Sequence, residues 1–265
     1  MGLERVVFSG RFNFFGLDAV FEESRCYELC GAELGALKLI FLRSRKLIFL
    51  KTLKTASTSF EIALSRHSNP GDVVTPITWE DELIRSRLGI LGPRNFEKKG
   101  LRGVSRVKNH STAAEVRVFV GESRWKSAQK IALVRNPYDR IISRYFWNKK
   151  NVLHSCGFED FRTWLRNNTE LISENEAIIM ENGNLQLDSA LRYEDLIRDS
   201  RDAVSRVGID PNQFEVDLRN ITSKSGIRQV NSTALDFFGT WREGRMIVQR
   251  HSERELDLFG YKFPK

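Results

Sequence analysis

The chain has 265 residues, with 42 Lys and Arg against 34 Asp and Glu for a formal net charge of +8, and is 41% hydrophobic and 29% charged. That balance excludes a disordered chain, and a chain of this length buries enough apolar surface to fold without disulfides or a structural metal. The cysteines, Cys26, Cys30 and Cys156, exclude a disulfide scaffold, and Cys26-x-x-x-Cys30 has no second pair to complete a zinc site.

In chain order, residues 1–44 are rich in Phe and Gly without periodicity and form an N-terminal segment of unassigned role. The most apolar stretch, Leu37 to Leu50, is broken by Arg43, Arg45 and Lys46. It falls short of the ~20 residues of a transmembrane helix. With no transmembrane segment and no signal peptide in view, the expectation is a cytoplasmic protein. A lumenal domain cut from a Golgi-type membrane anchor is the alternative. Lys46-Leu-Ile-Phe-Leu-Lys51 predicts a buried strand, which stops at the polar stretch Thr52 to Thr58. A helix over Ser57–Arg66 follows, with Phe60, Ile62 and Ala63 turned to a core. Residues 68–109 hold the Pro and Gly punctuation, with one helical piece around Trp79–Leu88. Ser111–Val120 reads as a helix. Ile131-Ala-Leu-Val134 reads as a second buried strand that runs into a helix from Pro137 to about Lys150. Further helices are expected at 158–168, 194–206 and 252–259, with a short strand near Ala190–Tyr193. Strands alternating with helices predict an α/β fold of three layers, P-loop-like, with a central mostly parallel sheet flanked by helices. Residues 45–265 are expected to form one folded domain.

The positive charge asks for an anionic partner, and nucleic acid, a nucleotide and an acidic glycan all fit. Two segments narrow the choice. Lys51-Thr-Leu-Lys-Thr-Ala-Ser-Thr-Ser59 leaves a strand and enters a helix. Backbone N–H groups at a helix start bind anions, Thr55, Ser57, Thr58 and Ser59 add hydroxyl donors, and Lys54 adds charge. The plainer alternative is that Ser57 only caps the helix. A nucleotide P-loop would carry glycines and place its Lys near the end of the loop, and no strand ends in a magnesium-binding Asp, which disfavours an ATPase or kinase-like enzyme. Val134-Arg-Asn-Pro-Tyr-Asp-Arg-Ile-Ile-Ser-Arg-Tyr145 is a second strand-to-helix segment, with Arg135 at the strand end and Ser143 in the helix. Arg grips phosphate oxygens through two parallel hydrogen bonds, so the pair of loops suits a ligand with two separated phosphates. Arg140 and Arg144 are read as paired with acids or exposed, and Tyr145 and Trp147 as core. A basic nucleic-acid-binding protein would need a recognition helix that these loops do not supply.

Lys54-Thr-Ala-Ser-Thr-Ser-Phe60 and Val134-Arg-Asn-Pro-Tyr-Asp-Arg140 with Ser143-Arg-Tyr145 closely resemble the two cofactor signatures of the sulfotransferase superfamily. The likeness is best to the carbohydrate branch that includes heparan sulfate 2-O-sulfotransferases and bacterial relatives. It spans about residues 46–263, including the ending Asp257-Leu-Phe-Gly-Tyr261, and Leu53 stands where many members carry Pro. The resemblance implies that Lys54, Thr55, Ala56, Ser57, Thr58 and Ser59 hold the 5′-phosphosulfate of 3′-phosphoadenosine 5′-phosphosulfate (PAPS). It implies that Arg135 and Ser143 hold its 3′-phosphate, with no metal. Of the four histidines, His67, His154 and His251 read as surface residues. His110, in Lys108-Asn-His-Ser-Thr-Ala-Ala-Glu115, resembles the family's H-x-T-A-x-E stretch, whose His is the base, though by composition alone it reads as a structural or capping residue. The implied enzyme is a PAPS-dependent O-sulfotransferase acting on a hydroxyl acceptor, a saccharide, with Lys54 on the leaving group. Arg192-Tyr-Glu-Asp-Leu196 and Ser223–Ser232 resemble further family elements and are read as structural. Lys98, Lys99 and Arg102 would suit an acidic saccharide.

Overall fold

A computed structural model describes residues 39–100, 103–106, 110–150, 157–223, 226–228 and 232–264, all within the unit Ala36–Lys265. The cysteines, His154, Arg102, Lys108 and nearly all of the segment 1–44 lie outside the described residues. The order opens with strands β1 (Leu39–Leu42) and β2 (Leu47–Leu50), helix α1 (Ser57–Ser65), β3 (Val73–Val74) and α2 (Trp79–Arg87). A hairpin of β4 (Glu97–Gly100) and β5 (Gly103–Arg106) precedes α3 (Ala113–Val120), α4 (Glu122–Ser127), β6 (Gln129–Val134) and α5 (Pro137–Lys149). Then come α6 (Phe158–Arg166), α7 (Glu176–Ile179), the short pair β7 (Met180–Glu181) and β8 (Asn184–Leu185), and β9 (Ser189–Arg192). The chain ends in α8 (Leu196–Ser205), α9 (Pro211–Asn220), α10 (Ala234–Phe238), α11 (Arg242–His251) and α12 (Glu253–Phe259).

The central sheet has five strands in the order β3-β1-β2-β6-β9. It is mixed, which corrects the mostly parallel sheet expected from the sequence. β2, β6 and β9 run parallel, but β1 pairs antiparallel with both β2 and β3. The reason is local: Leu42 lies opposite Leu47, so the cation-rich residues 43–46 form a hairpin turn instead of interrupting one long strand. A hairpin needs only a few residues, whereas each parallel pair needs a helical crossover.

Alternation along the strands fills both faces of the sheet. Ile40, Leu42, Leu47, Phe49, Ile131 and Leu133 pack with α1, α8 and α9 on one side. Leu39, Phe41, Ile48, Leu50 and Ala132 pack with α3, α4 and α7 on the other. Burial on both faces is why these strands read as unbroken apolar runs. A third cluster, built of Tyr138, Tyr145, Phe161, Phe237, Phe238 and Trp241, joins α5 and α6 to α10 and α11. Tyr145 is in that core, as expected, and its hydroxyl donates to Asp160 at 2.7 Å. Among the described residues no helix is long and apolar enough to cross a membrane.

Candidate active site

The parallel strands β2, β6 and β9 end on the same edge of the sheet, where Leu50 is beside Ala132 and Val134 beside Arg192. Chain that leaves strand ends in this way forms the ligand crevice of open α/β sheets. A cleft of about 650 Å³ lies there, lined by Lys51 to Lys54 after β2, by Arg135 after β6 and by Tyr193 after β9. The cleft also gathers Ala56, Ser57, Thr58, Ser59, His110 and Ser143, so every residue that the resemblance assigns to cofactor or catalysis except Thr55 lines one cavity, whereas Lys98 does not.

The loop between β2 and α1 explains the exception. Thr55 is buried, its Oγ1 paired with Thr52 Oγ1 at 2.9 Å, and Thr52 Oγ1 donates to the Leu133 carbonyl at 2.6 Å. The Thr55 hydroxyl therefore ties the loop to β6 and does not face the cleft. Ser57 is the first helical residue, not the cap, and its hydroxyl donates to the Thr52 carbonyl at 2.6 Å. The capping residue of α1 is Ala56, which offers no side-chain hydrogen bond. Both Lys54 (φ 60) and Ala56 (φ 61) adopt the left-handed conformation that glycine usually supplies. The start of α1 therefore presents N–H groups and partial positive charge to the cleft without a capping carboxylate or hydroxyl.

Lys51, buried with 2% exposure, places Nζ 2.6 Å from Glu61 and 3.0 Å from Thr58 Oγ1. Its carbonyl oxygen lies 2.8 Å from His110 Nδ1. A carbonyl can only accept, so Nδ1 carries a proton, and in the neutral ring the lone pair is then on Nε2. His110 does not cap α3. That cap is Thr112, which exchanges hydrogen bonds with Glu115 in a capping box. The Thr and Glu of the H-x-T-A-x-E stretch thus build the helix start that carries His110, itself left-handed at φ 54.

Arg135 joins the two motifs. Its Nη1 donates to the Lys54 carbonyl at 3.0 Å, its Nε donates to Asp139 at 2.6 Å, and its guanidinium stacks on Tyr193 at 4.0 Å. Asp139 is shared with Arg228, whose Nη1 lies 2.7 Å away. Lys54 Nζ sits 4.3 Å over the Trp147 ring and Lys150 Nζ 3.9 Å over it. Arg144 pairs with Glu174 at 3.2 Å, and burial pushes the Glu174 carboxyl above the usual carboxylate range against the pull of Arg144, Arg140 and Lys54. Arg140 instead pairs with buried Glu255, as an internal ion pair away from the cleft.

Several lining residues escaped the sequence. Arg144 pairs with an acid, as the sequence suggests, and Trp147 reads as core, yet both also face the cavity. Ser223, Gly226 and Arg228 also line it, from a stretch read as structural. Glu194 is structural: Oε1 accepts from the Asn136 N–H at 2.9 Å and Oε2 from the Tyr261 hydroxyl at 2.8 Å. Lys98, an exposed residue, donates through its ammonium to the Phe119 carbonyl, and the ammonium lies 4.5 Å over that ring. His67, expected at the surface, is 14% exposed and lies 3.5 Å from Asp217.

Neither a curated relative nor a solved structure matches the chain. The model of the sulfotransferase family matches residues 38–262, which takes in every element from β1 to α12 and both strand-end loops. The chain belongs to the sulfotransferase family.

Proposed function

We propose that this protein transfers the sulfuryl group of PAPS to a hydroxyl of a carbohydrate acceptor. The observation that carries the reading is the convergence of both phosphate motifs and a histidine of defined tautomer in one cleft. The residues fit such a donor: an α1 start without a side-chain cap, the cations Lys54, Arg135, Arg144 and Arg228, and the aromatic rings of Trp147 and Tyr193 line the same cavity. When bound, PAPS supplies a sulfuryl group on a phosphate leaving group. The N–H groups from Lys54 to Ser59 and the Lys54 ammonium hold the negative charge at its 5′ end. Arg135 and Ser143 hold the 3′-phosphate, with Arg135 already oriented by Asp139 and Tyr193. His110 accepts the acceptor's hydroxyl proton at Nε2, and the Lys51 carbonyl stabilises the imidazolium through Nδ1–H. No step requires a metal. The carbohydrate assignment is supported by the likeness of the two motifs to that branch, and the catalytic domain by the continuity of the fold around the cleft.

The test is calorimetric titration with 3′-phosphoadenosine 5′-phosphate (PAP), with ATP and a short DNA duplex as controls. Micromolar binding of PAP that is lost in Arg135→Ala supports the reading. Tight, salt-sensitive binding of DNA without PAP binding would overturn it. With PAPS and a panel of saccharides, phenols and alcohols, His110→Ala should abolish transfer and leave PAP binding intact. Retained transfer would move the base elsewhere.

A further inference from the structure

The loop from Lys51 to Ala56 holds two left-handed residues without a glycine, and a backbone of this kind keeps its shape only where its surroundings over-determine it. Arg135 restrains it from one side through the Lys54 carbonyl. From the other side comes Asn175, at the start of α7, 122 positions away in sequence from Leu53. Its Oδ1 accepts from the Leu53 N–H at 2.7 Å and its Nδ2 donates to the Leu53 carbonyl at 3.0 Å. The N–H demands an oxygen and the carbonyl demands a nitrogen, so the two bonds fix the amide orientation. Asn175 is 2% exposed, so both bonds are shielded from water. The side chain does for Leu53 what a neighbouring strand would do, at the point where the chain has left the sheet. The preceding residue, Glu174, holds Arg144 on the cleft wall at 3.2 Å.

We propose that Asn175 is a positioning residue that holds the phosphate loop in its anion-binding shape. It does not line the cleft and acts through Leu53 on the next residue, Lys54, and on the N–H groups that follow. This inference rests on reading the loop as the seat of the 5′-phosphate group, whereas the 3′-phosphate falls to Arg135 and Ser143. Asn175 should therefore matter to one end of the nucleotide and not to the other.

The experiment compares the wild-type chain with Asn175→Ala by two measurements. The first is amide hydrogen exchange of the loop peptide without nucleotide, which reads the clamp by itself. The second is calorimetric affinity for PAP and for adenosine 3′-monophosphate, which lacks the 5′-phosphate. Faster exchange confined to the loop, about tenfold weaker PAP binding and unchanged adenosine 3′-monophosphate binding are expected. Unchanged loop exchange would overturn the clamp. An equal loss for both nucleotides would overturn the selective role, because a general loosening of the fold moves both. Faster loop exchange in a protein whose wild type binds no PAP would support the clamp and overturn the donor assignment instead. Asn175→Asp keeps the side-chain volume and the acceptor but loses the amide donor. It should show the same selective pattern and is the test should the alanine variant fail to fold.

Discussion

Glu61→Gln is the most direct probe of how the cleft floor is held. Glu61 is fully buried on α1, with one carboxylate oxygen 2.6 Å from Lys51 Nζ and the other 3.6 Å from Arg85. Arg85 is fully buried too, and its other nitrogen lies 2.8 Å from Glu82. Among the described contacts, these two cations face two carboxylates. Glutamine keeps the shape and removes one negative charge, which leaves the buried Lys51 and Arg85 with only the partly exposed Glu82 as a carboxylate partner among these contacts. Breaking a buried pair by removing one partner costs about 3–5 kcal/mol. That is a large part of the ~5–15 kcal/mol that holds a typical domain together. At about 2–4 °C per kcal/mol for a unit of this size, the midpoint should fall by about 6–20 °C. Urea denaturation followed by circular dichroism, paired with thermal scans, measures both quantities. Adding Lys51→Met removes one of the two cations, so the double variant should recover part of the loss, with a coupling of about 0.5–3 kcal/mol. A Glu61→Gln protein within about 1 kcal/mol of wild type would refute the reasoning, since that is the range of an exposed pair.

Further predictions concern backbone, packing and pH. Ala56→Gly should stabilise the protein by up to about 1 kcal/mol, because the steric cost of the left-handed conformation, about 1–2 kcal/mol, exceeds the entropy that glycine loses on folding; a lower urea midpoint would contradict this. Gly244→Ala would place a Cβ 2.1 Å from Trp241 Cε3, against a ring already stacked on Phe238. An overpacking cost of about 1–3 kcal/mol is expected, and an unchanged midpoint would sink it. Burial holds the His67 imidazole below its usual range, with Arg45 and Arg66 adding to the effect and Asp217 opposing it. A depressed folded-state value means that the unfolded chain takes up the proton first as pH falls. The contribution is therefore present above the unfolded value of about 6.5 and is lost as pH falls through the folded value. His67→Gln should flatten the decline in denaturation midpoint between about pH 7 and pH 5, and equal slopes in both proteins would reject the assignment.

What the sequence displays and what it hides divides along the distance over which a residue acts. The strand–loop–helix units around Lys54 and Arg135 were legible because apolar runs, a polar break and a helix start follow one another within a few residues. Pro137 marks its helix start in the structure, with Asn136 capping it through Tyr138 N at 3.1 Å. β1 is a local signal of the same kind: Leu-Ile-Phe-Leu occurs at both 39–42 and 47–50, and two equal apolar runs parted by four polar residues make a hairpin. Helix α9 likewise announces itself with Asp210 as cap and Pro211 as first residue. Asn175 and Arg228 belong to the other kind. Nothing in their own neighbourhoods points to Leu53 or Asp139, and only the fold brings them there.

The same division explains how the proposed phosphate loop keeps its shape without glycine. Glycine lets a loop adopt left-handed turns from within, whereas here Lys54 and Ala56 adopt them against their own preference. Some of the restraint is internal, through Thr52, Thr55 and Ser57, and the rest is imported from distant parts of the chain. Thr52 is anchored on the Leu133 carbonyl of β6, Leu53 on Asn175 and Lys54 on Arg135, while the loop's own Lys51 ammonium holds Thr58. Since Arg135 also belongs to the second motif, and the Lys51 carbonyl also orients His110, the anchors that shape the loop set its place relative to the proposed 3′-phosphate ligand Arg135 and the proposed base His110. A loop made rigid by glycine and proline alone would have the shape without that registration. Preorganised donors act on a transition state only when they stand in fixed relation to the group that moves the proton. In this cleft the relation is maintained by hydrogen bonds that the loop cannot make with itself.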